Sequence, residues 1–242
     1  MHTLRLAVTG TDTGVGKTLV TCALVAALRA RGRDARAMKP VETGVAERHT
    51  GTDTARLHRA AGGAGEPHDV CPVTYAEPLA PMVAAERAGR PVDWAAIEAA
   101  RGRLERGAGA FVVEGAGGLL VPFARAADGG VVDLATLAER WALGLVVVAA
   151  DRLGVLNHTL LTVREAARRG VAVRAVVLNA VRPAPADVAE VTNLGVLRVL
   201  LSGVPVLPFP FVAPERQDDL GHLAERGAPL ADALSAAPPF RA

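Results

Sequence analysis

The sequence predicts a doubly wound α/β domain, with a mostly parallel sheet flanked by helices. Three observations point there. Apolar, β-branched runs alternate along the chain with helical patterns. The apolar runs are continuous rather than alternating, as in strands buried on both faces. The first run leads straight into a glycine-rich loop that opens a helix.

In chain order, the run 4–9 (Leu-Arg-Leu-Ala-Val-Thr) reads as the first strand and 18–30 as the first helix. A short strand follows at 34–38. Helical patterns occupy 52–61 and 93–106, separated by a Gly- and Pro-rich segment, 62–92, expected to be an irregular excursion rather than a linker. The run 110–114 (Ala-Phe-Val-Val-Glu) is a buried strand, and 145–150 (Leu-Val-Val-Val-Ala-Ala) is another. A helix is expected at 155–169, a strand at 173–179, a helix at 186–201, a strand at 204–209 and a last helix at 217–233. At 242 residues, 1–242 is expected to be one domain, with 235–242 a loose tail.

Composition narrows the function. The formal net charge is only +2 and aromatic residues are 3% of the chain, which argues against nucleic acid as a partner. No apolar window is long enough for a membrane span, and MHTLRLAVTG lacks the apolar stretch of a signal peptide. Cys22 and Cys71 form no CxxC pair and read as buried thiols in a reducing compartment, so a cytoplasmic setting is expected. The six histidines show no metal-binding spacing. Of 27 basic residues, only Lys17 and Lys39 are lysine. Arginine is a planar fork and lysine a compact point charge, so a chain that otherwise uses arginine keeps lysine where the fork will not serve.

Gly10-Thr-Asp-Thr-Gly-Val-Gly-Lys-Thr18 lies between a strand and a helix, the context of a phosphate-binding loop. Its glycines let backbone amides turn onto phosphate oxygens, and the helix N-terminus adds its positive dipole end. Lys17 would reach the outer phosphates and the Thr18 hydroxyl would ligate Mg²⁺. Gly10 to Gly16 is one residue longer than the usual spacing. Glu114 ends a central strand beside this loop, where such folds hold the metal. Asp53, at a helix start, reads as either a capping residue or a metal ligand. Asp12 could approach the metal or order the loop. Lys39 ends the second strand, where a fixed ammonium would stabilise a developing anion. Gly154-Val-Leu-Asn-His158 opens a helix whose free amides suit a carboxylate, or form an ordinary helix start.

Four motifs together resemble the dethiobiotin synthetase family: Thr9-Gly-Thr-Asp-Thr-Gly-Val-Gly-Lys-Thr18, Lys39-Pro-Val-Glu-Thr-Gly44, Val113-Glu-Gly-Ala-Gly-Gly118 and Leu153-Gly-Val-Leu-Asn-His158. With their order and spacing the resemblance covers the chain from residue 3 to about 210, and the longer loop is itself a family mark. The resemblance implies a P-loop NTPase type of fold. It also implies a reaction of 7,8-diaminononanoate, CO₂ (or bicarbonate) and ATP, giving dethiobiotin, ADP and phosphate. An amine captures CO₂ as a carbamate, ATP phosphorylates it, and the second amine closes the ring.

By the same resemblance Lys39, Lys17 and Thr13 are the catalytic set. The nucleotide lies on Asp12, Thr13, Gly14, Val15, Gly16, Lys17, Thr18, Leu19, Glu114, Asn179 and Pro208, with Asn179 at the adenine edge. Mg²⁺ falls to Thr18, Asp53 and Glu114. The diamine falls to Lys39, Thr43, Gly117 and Gly118, its carboxylate to Gly154, Val155, Leu156 and Asn157. Gly14 and Ala180 stand where the family often has acids. A homodimer is implied, with a partner residue helping to cover the substrate carboxylate; Val191 or Asn193 occupies the corresponding stretch.

Other readings are weaker. A chromosome-partitioning type ATPase would carry another lysine near the start of the loop, where this chain has Thr11 or Asp12. An enzyme amidating a large acid would need a glutamine-hydrolysing domain with a nucleophilic cysteine. A nucleotide sensor without activity would not need the second lysine and both metal-type carboxylates.

Overall fold

The computed structural model describes residues 3–45, 52–126, 129–184 and 188–236. The chain enters β1 (Leu4–Gly10), crosses the phosphate loop and continues into α1 (Lys17–Ala30), β2 (Ala35–Met38) and β3 (Val41–Thr43). It then forms α2 (Thr52–Ala60), α3 (Pro67–Val70), β4 (Val73–Tyr75), α4 (Pro81–Arg87) and α5 (Trp94–Glu105). Next come β5 (Ala110–Gly118), the small hairpin β6 (Ala124–Arg125) and β7 (Val131–Val132), and α6 (Leu134–Arg140). The last third is β8 (Gly144–Ala150), α7 (Val155–Arg168), β9 (Val173–Asn179), α8 (Val188–Leu200), β10 (Val206–Phe209), a 3₁₀ turn (Pro214–Arg216) and α9 (Leu220–Ala236).

Six strands form one sheet in the order β10-β9-β8-β1-β5-β2, every described pairing parallel. The expected doubly wound class is the class observed. Because side chains alternate across a strand, each strand feeds two cores. Leu6, Val8, Val146 and Val148 face a cluster with α1, α2 and α9. Ala7, Val113, Leu145 and Val147 face the other, with α5, α6 and α7. Pro208 sits on edge strand β10, where its missing N–H removes no internal ladder bond. At the crossing of α9 with α1, a Cβ on Gly227 would collide with the Ala23 carbonyl, so only glycine allows this approach.

Several expectations need correction. The segment 62–92 is not irregular: it carries α3, β4 and α4, and β4 pairs with β3 in a separate two-stranded parallel sheet. The hairpin β6–β7 and α6 were not expected; α6 is set by a capping box in which Asp133 accepts the Thr136 amide at 2.8 Å. The last helix begins at Leu220 rather than 217, because Asp219 accepts the His222 amide at 2.9 Å and caps it there. It runs to Ala236, so 235–236 of the expected tail are helical, and 237–242 lie outside the described residues. The expected start at 186 of the helix preceding β10 also lies outside them. Among the described residues no helix is long and apolar enough to cross a membrane.

Candidate active site

The site forms where β1, β2, β5 and β9 end at the same edge of the sheet, as doubly wound folds dictate. After β1 the loop turns into α1 through Gly16, whose φ of 91° is left-handed. A side chain here would be strained, and its Cβ would strike the Asn179 amide. That closeness has a purpose: Asn179 Nδ2 donates to the Val15 carbonyl at 2.9 Å, tying the end of β9 to the loop. Asn179 Oδ1 is buried without a protein partner.

Lys17 is 8% exposed, and its Nζ donates to the Asp12 carbonyl at 3.4 Å. Burial pulls its pKa below the ordinary lysine value, with Glu114 opposing. A buried ammonium short of countercharge is primed for an anionic ligand. Asp12 accepts the Thr13 amide at 2.7 Å and approaches Arg152 at 3.6 Å, so it orders the loop and links it to the turn after β8.

Lys39 is 5% exposed, and its Nζ donates to Asp53 Oδ2 at 2.6 Å and to Glu114 Oε1 at 2.8 Å. The same Glu114 oxygen accepts the Thr18 hydroxyl at 2.8 Å. Burial alone would lower the Lys39 pKa, but the two carboxylates overrule it and hold the pKa raised. Burial would raise the Asp53 pKa, but Lys39 overrules it and holds the carboxyl low. Glu114 is fully buried beneath the cleft floor, and its Oε2 has no protein partner.

Lys17, Lys39 and Asp53 border a cleft of about 830 Å³, while Asp12 and Glu114, expected in the nucleotide set, do not line it. Thr13, Gly14, Gly16, Lys17, Thr18, Leu19, Lys39, Thr43, Asp53, Gly117 and Asn179 line it. The Thr13 hydroxyl stands 3.5 Å from where a Gly117 Cβ would be, so the first and third motifs meet across the cleft. Val15 lies behind the loop in the core, and Gly118 pairs with Gly10. Pro208 is exposed on β10 and Gly154 to Asn157 form the adjoining start of α7; neither lines this cleft. Within that start, Gly154 caps α7 with a φ of 93° and Val155 is buried.

Other lining residues come from stretches the sequence did not single out: Arg56 on α2, Phe211, Val212 and Gln217. Arg56 donates to the Gln217 carbonyl at 3.1 Å and so holds this wall to α2. Glu42, inside the second motif, also lines the cleft.

The donor set fits magnesium. Among the described residues, no group of three or more His, Cys, Asp or Glu could hold a metal alone. Mg²⁺ needs no such cage, since it binds through one or two carboxylates together with phosphate oxygens and water. The Thr18 hydroxyl, Asp53 and the unpartnered Glu114 Oε2 supply that kind of incomplete set.

A family model described as an AAA domain matches residues 5–209. The chain is 47% identical over 196 residues to the ATP-dependent dethiobiotin synthetase of Anaeromyxobacter sp. strain Fw109-5, covering 78% of this chain and 85% of that protein. It is 36% identical over 220 residues to the enzyme of the same name from Bacillus velezensis, covering 90% and 91%. The structure of Cyanothece McdA with ATP superposes with a TM-score of 0.54 at 9% identity, covering 99% of each chain, a likeness of fold alone.

Proposed function

The chain belongs to the ATP-dependent dethiobiotin synthetase family, and on that premise we propose that its cleft joins 7,8-diaminononanoate, CO₂ and ATP into dethiobiotin, ADP and phosphate. It is an ATP-dependent ligase that forms carbon–nitrogen bonds in biotin biosynthesis. The observation that carries the substrate reading is Lys39, a buried ammonium held between Asp53 and Glu114 beside the phosphate loop. A nucleotide switch needs the loop lysine and the metal-type acids. It has no need of a second buried ammonium at the neighbouring strand end.

In this reading one substrate amine attacks CO₂, a C–N bond forms, and a proton is lost to give a carbamate anion. Lys39 faces that anion, with Thr13 and Thr43 as hydroxyl partners and Gly117 and Gly118 as close-approach backbone. A carbamate oxygen then attacks the γ-phosphorus and ADP leaves. Lys17 and the loop amides hold the charge on the transferring group. Thr18, Asp53 and Glu114 would hold Mg²⁺, which when bound supplies positive charge against the phosphate oxygens. The second amine attacks the activated carbonyl carbon, loses a proton and expels phosphate, closing the ring. Asn179 Oδ1 suits the exocyclic amine of adenine, while Pro208 enters the nucleotide set through resemblance alone. The amides of Gly154 to Asn157 would take the substrate carboxylate.

The proposed assembly is a homodimer. An apolar stripe on α8, Val188, Val191 and Val199, is 77%, 69% and 77% exposed, with Gly195 between them. Monomeric proteins rarely expose such faces. The proposed setting is the cytoplasm, whose reducing conditions suit the buried, unpaired Cys22 and Cys71.

Carbon-13 bicarbonate supplied with ATP, Mg²⁺ and the diamine tests the proposal. It requires the label in the ring carbon of dethiobiotin. A product without label would remove CO₂ as a substrate.

A further inference from the structure

Glu42 belongs to no group assigned a role above, yet both of its carboxylate oxygens are bound within the protein. It stands on β3, pinned opposite Thr74 of β4, and is 5% exposed. A buried carboxylate is costly unless its oxygens are satisfied. Here Oε1 accepts the Asp53 amide at 3.1 Å. Oε2 accepts the Thr54 amide at 3.3 Å and the Thr54 hydroxyl. These are first-turn amides of α2, which lack partners within the helix, and a negative charge there also meets the positive end of the helix dipole. Glu42 therefore caps α2 from a different element of the fold.

The capped turn is the one that carries Asp53. Both Glu42 oxygens accept hydrogen bonds from α2. The Asp53 side chain points the other way, to Lys39 at 2.6 Å. Helix ends fray, and a carboxylate on a first turn is only as well placed as that turn.

We propose that Glu42 is a positioning residue for magnesium: by clamping the Asp53 and Thr54 amides it fixes the Asp53 carboxylate at the metal position. Its effect falls on metal affinity and not on the bond-forming steps. The role rests on the reading of the cleft as a Mg²⁺–nucleotide site, but its test needs no diamine and no turnover.

The test is calorimetric titration of ADP into wild type, Glu42→Ala and Glu42→Gln, at low and at saturating Mg²⁺. With Glu42→Ala, ADP affinity at low Mg²⁺ should fall about tenfold, the scale seen when a partner orienting a metal ligand is lost, and saturating Mg²⁺ should restore it. Glu42→Gln keeps one acceptor oxygen and should fall in between. Hydrogen exchange at the Asp53 and Thr54 amides should speed up in the same order. Variants that bind ADP like wild type at low Mg²⁺ would overturn the role, as would a loss of equal size at both Mg²⁺ levels. If Glu42→Ala does not fold, Glu42→Gln carries the same comparison. Wild-type ADP binding that ignores Mg²⁺ would remove both this role and the site reading beneath it. A failure confined to the variants would remove only the role.

Discussion

At the scale of single residues, two lysines dominate the cleft. Both are buried in one cleft, in a chain that elsewhere uses arginine. Lys39→Arg keeps the charge but puts a planar fork where a point charge meets two carboxylates within 2.8 Å. Turnover should fall about 100-fold or more while ADP affinity stays within about threefold, since the defect lies with the transition-state anion. Unaltered turnover would take Lys39 out of the site. Lys17→Gln should abolish phosphoryl transfer, measured as ADP formed; normal turnover in that variant would sink the loop assignment.

The Lys39–Asp53 pair also sets a pH dependence. Asp53 is held below its unfolded value, so its stabilisation is present above about pH 4 and is lost as pH falls through the folded pKa. Lys39 is held above its unfolded value, so its share is complete below about pH 10 and is lost only as pH rises through the folded pKa. Melting temperatures of wild type and Asp53→Asn should therefore differ at pH 7 and converge as pH falls below about 4. A gap unchanged by acid would contradict the pairing. Asp53 read as either a cap or a metal ligand, and its pairing with Lys39 appears only in the fold, whereas the motif residues Lys17, Thr18, Lys39 and Glu114 were legible in the sequence at element ends. Arg56, Phe211 and Gln217 were not, because a wall assembled from α2 and a distant coil leaves no local pattern. Glu42 sat inside a recognised motif, but its capping of α2 exists only once β3 and α2 meet.

At the scale of elements, strands buried on both faces announce themselves as continuous apolar runs, which is why β1, β5, β8 and β9 were readable to within a few residues. The elements that escaped, β3, β4, β6, β7, α3, α4 and α6, have seven residues or fewer. Such lengths are too short for a periodic pattern, and their order comes from packing and caps. The last helix starts three residues later than expected because Asp219, and not a residue before 217, caps its first turn. One close contact on this scale is directly testable. Gly227→Ala drives a Cβ into the Ala23 carbonyl, forcing α9 off α1. Urea unfolding should show a loss of about 1–3 kcal/mol with unchanged ADP affinity. Full stability in that variant would mean that the helices do not meet as described.

For the whole molecule, fold class was legible but strand order was not: alternation of strands and helices implies a parallel sheet without saying that β1 lies between β8 and β5. Because every described pairing is parallel, the ends of β1, β2, β5 and β9 share one edge, and the site is built from four distant stretches. The proposed dimer also belongs here. Val191→Asp places a charge in the exposed α8 stripe, 69% exposed at that residue, and should yield monomers by sedimentation. A wild type that sediments as a monomer would remove the dimer.

In the proposed reaction this cleft couples ATP cleavage to ring closure on a diamine. Phosphate release from ATP and Mg²⁺ with bicarbonate, measured with and without 7,8-diaminononanoate, tests it most directly. Release should depend strongly on the diamine and match the dethiobiotin formed, one for one. Release that proceeds at the same rate without the diamine would contradict the account and leave the four motifs as marks of fold alone.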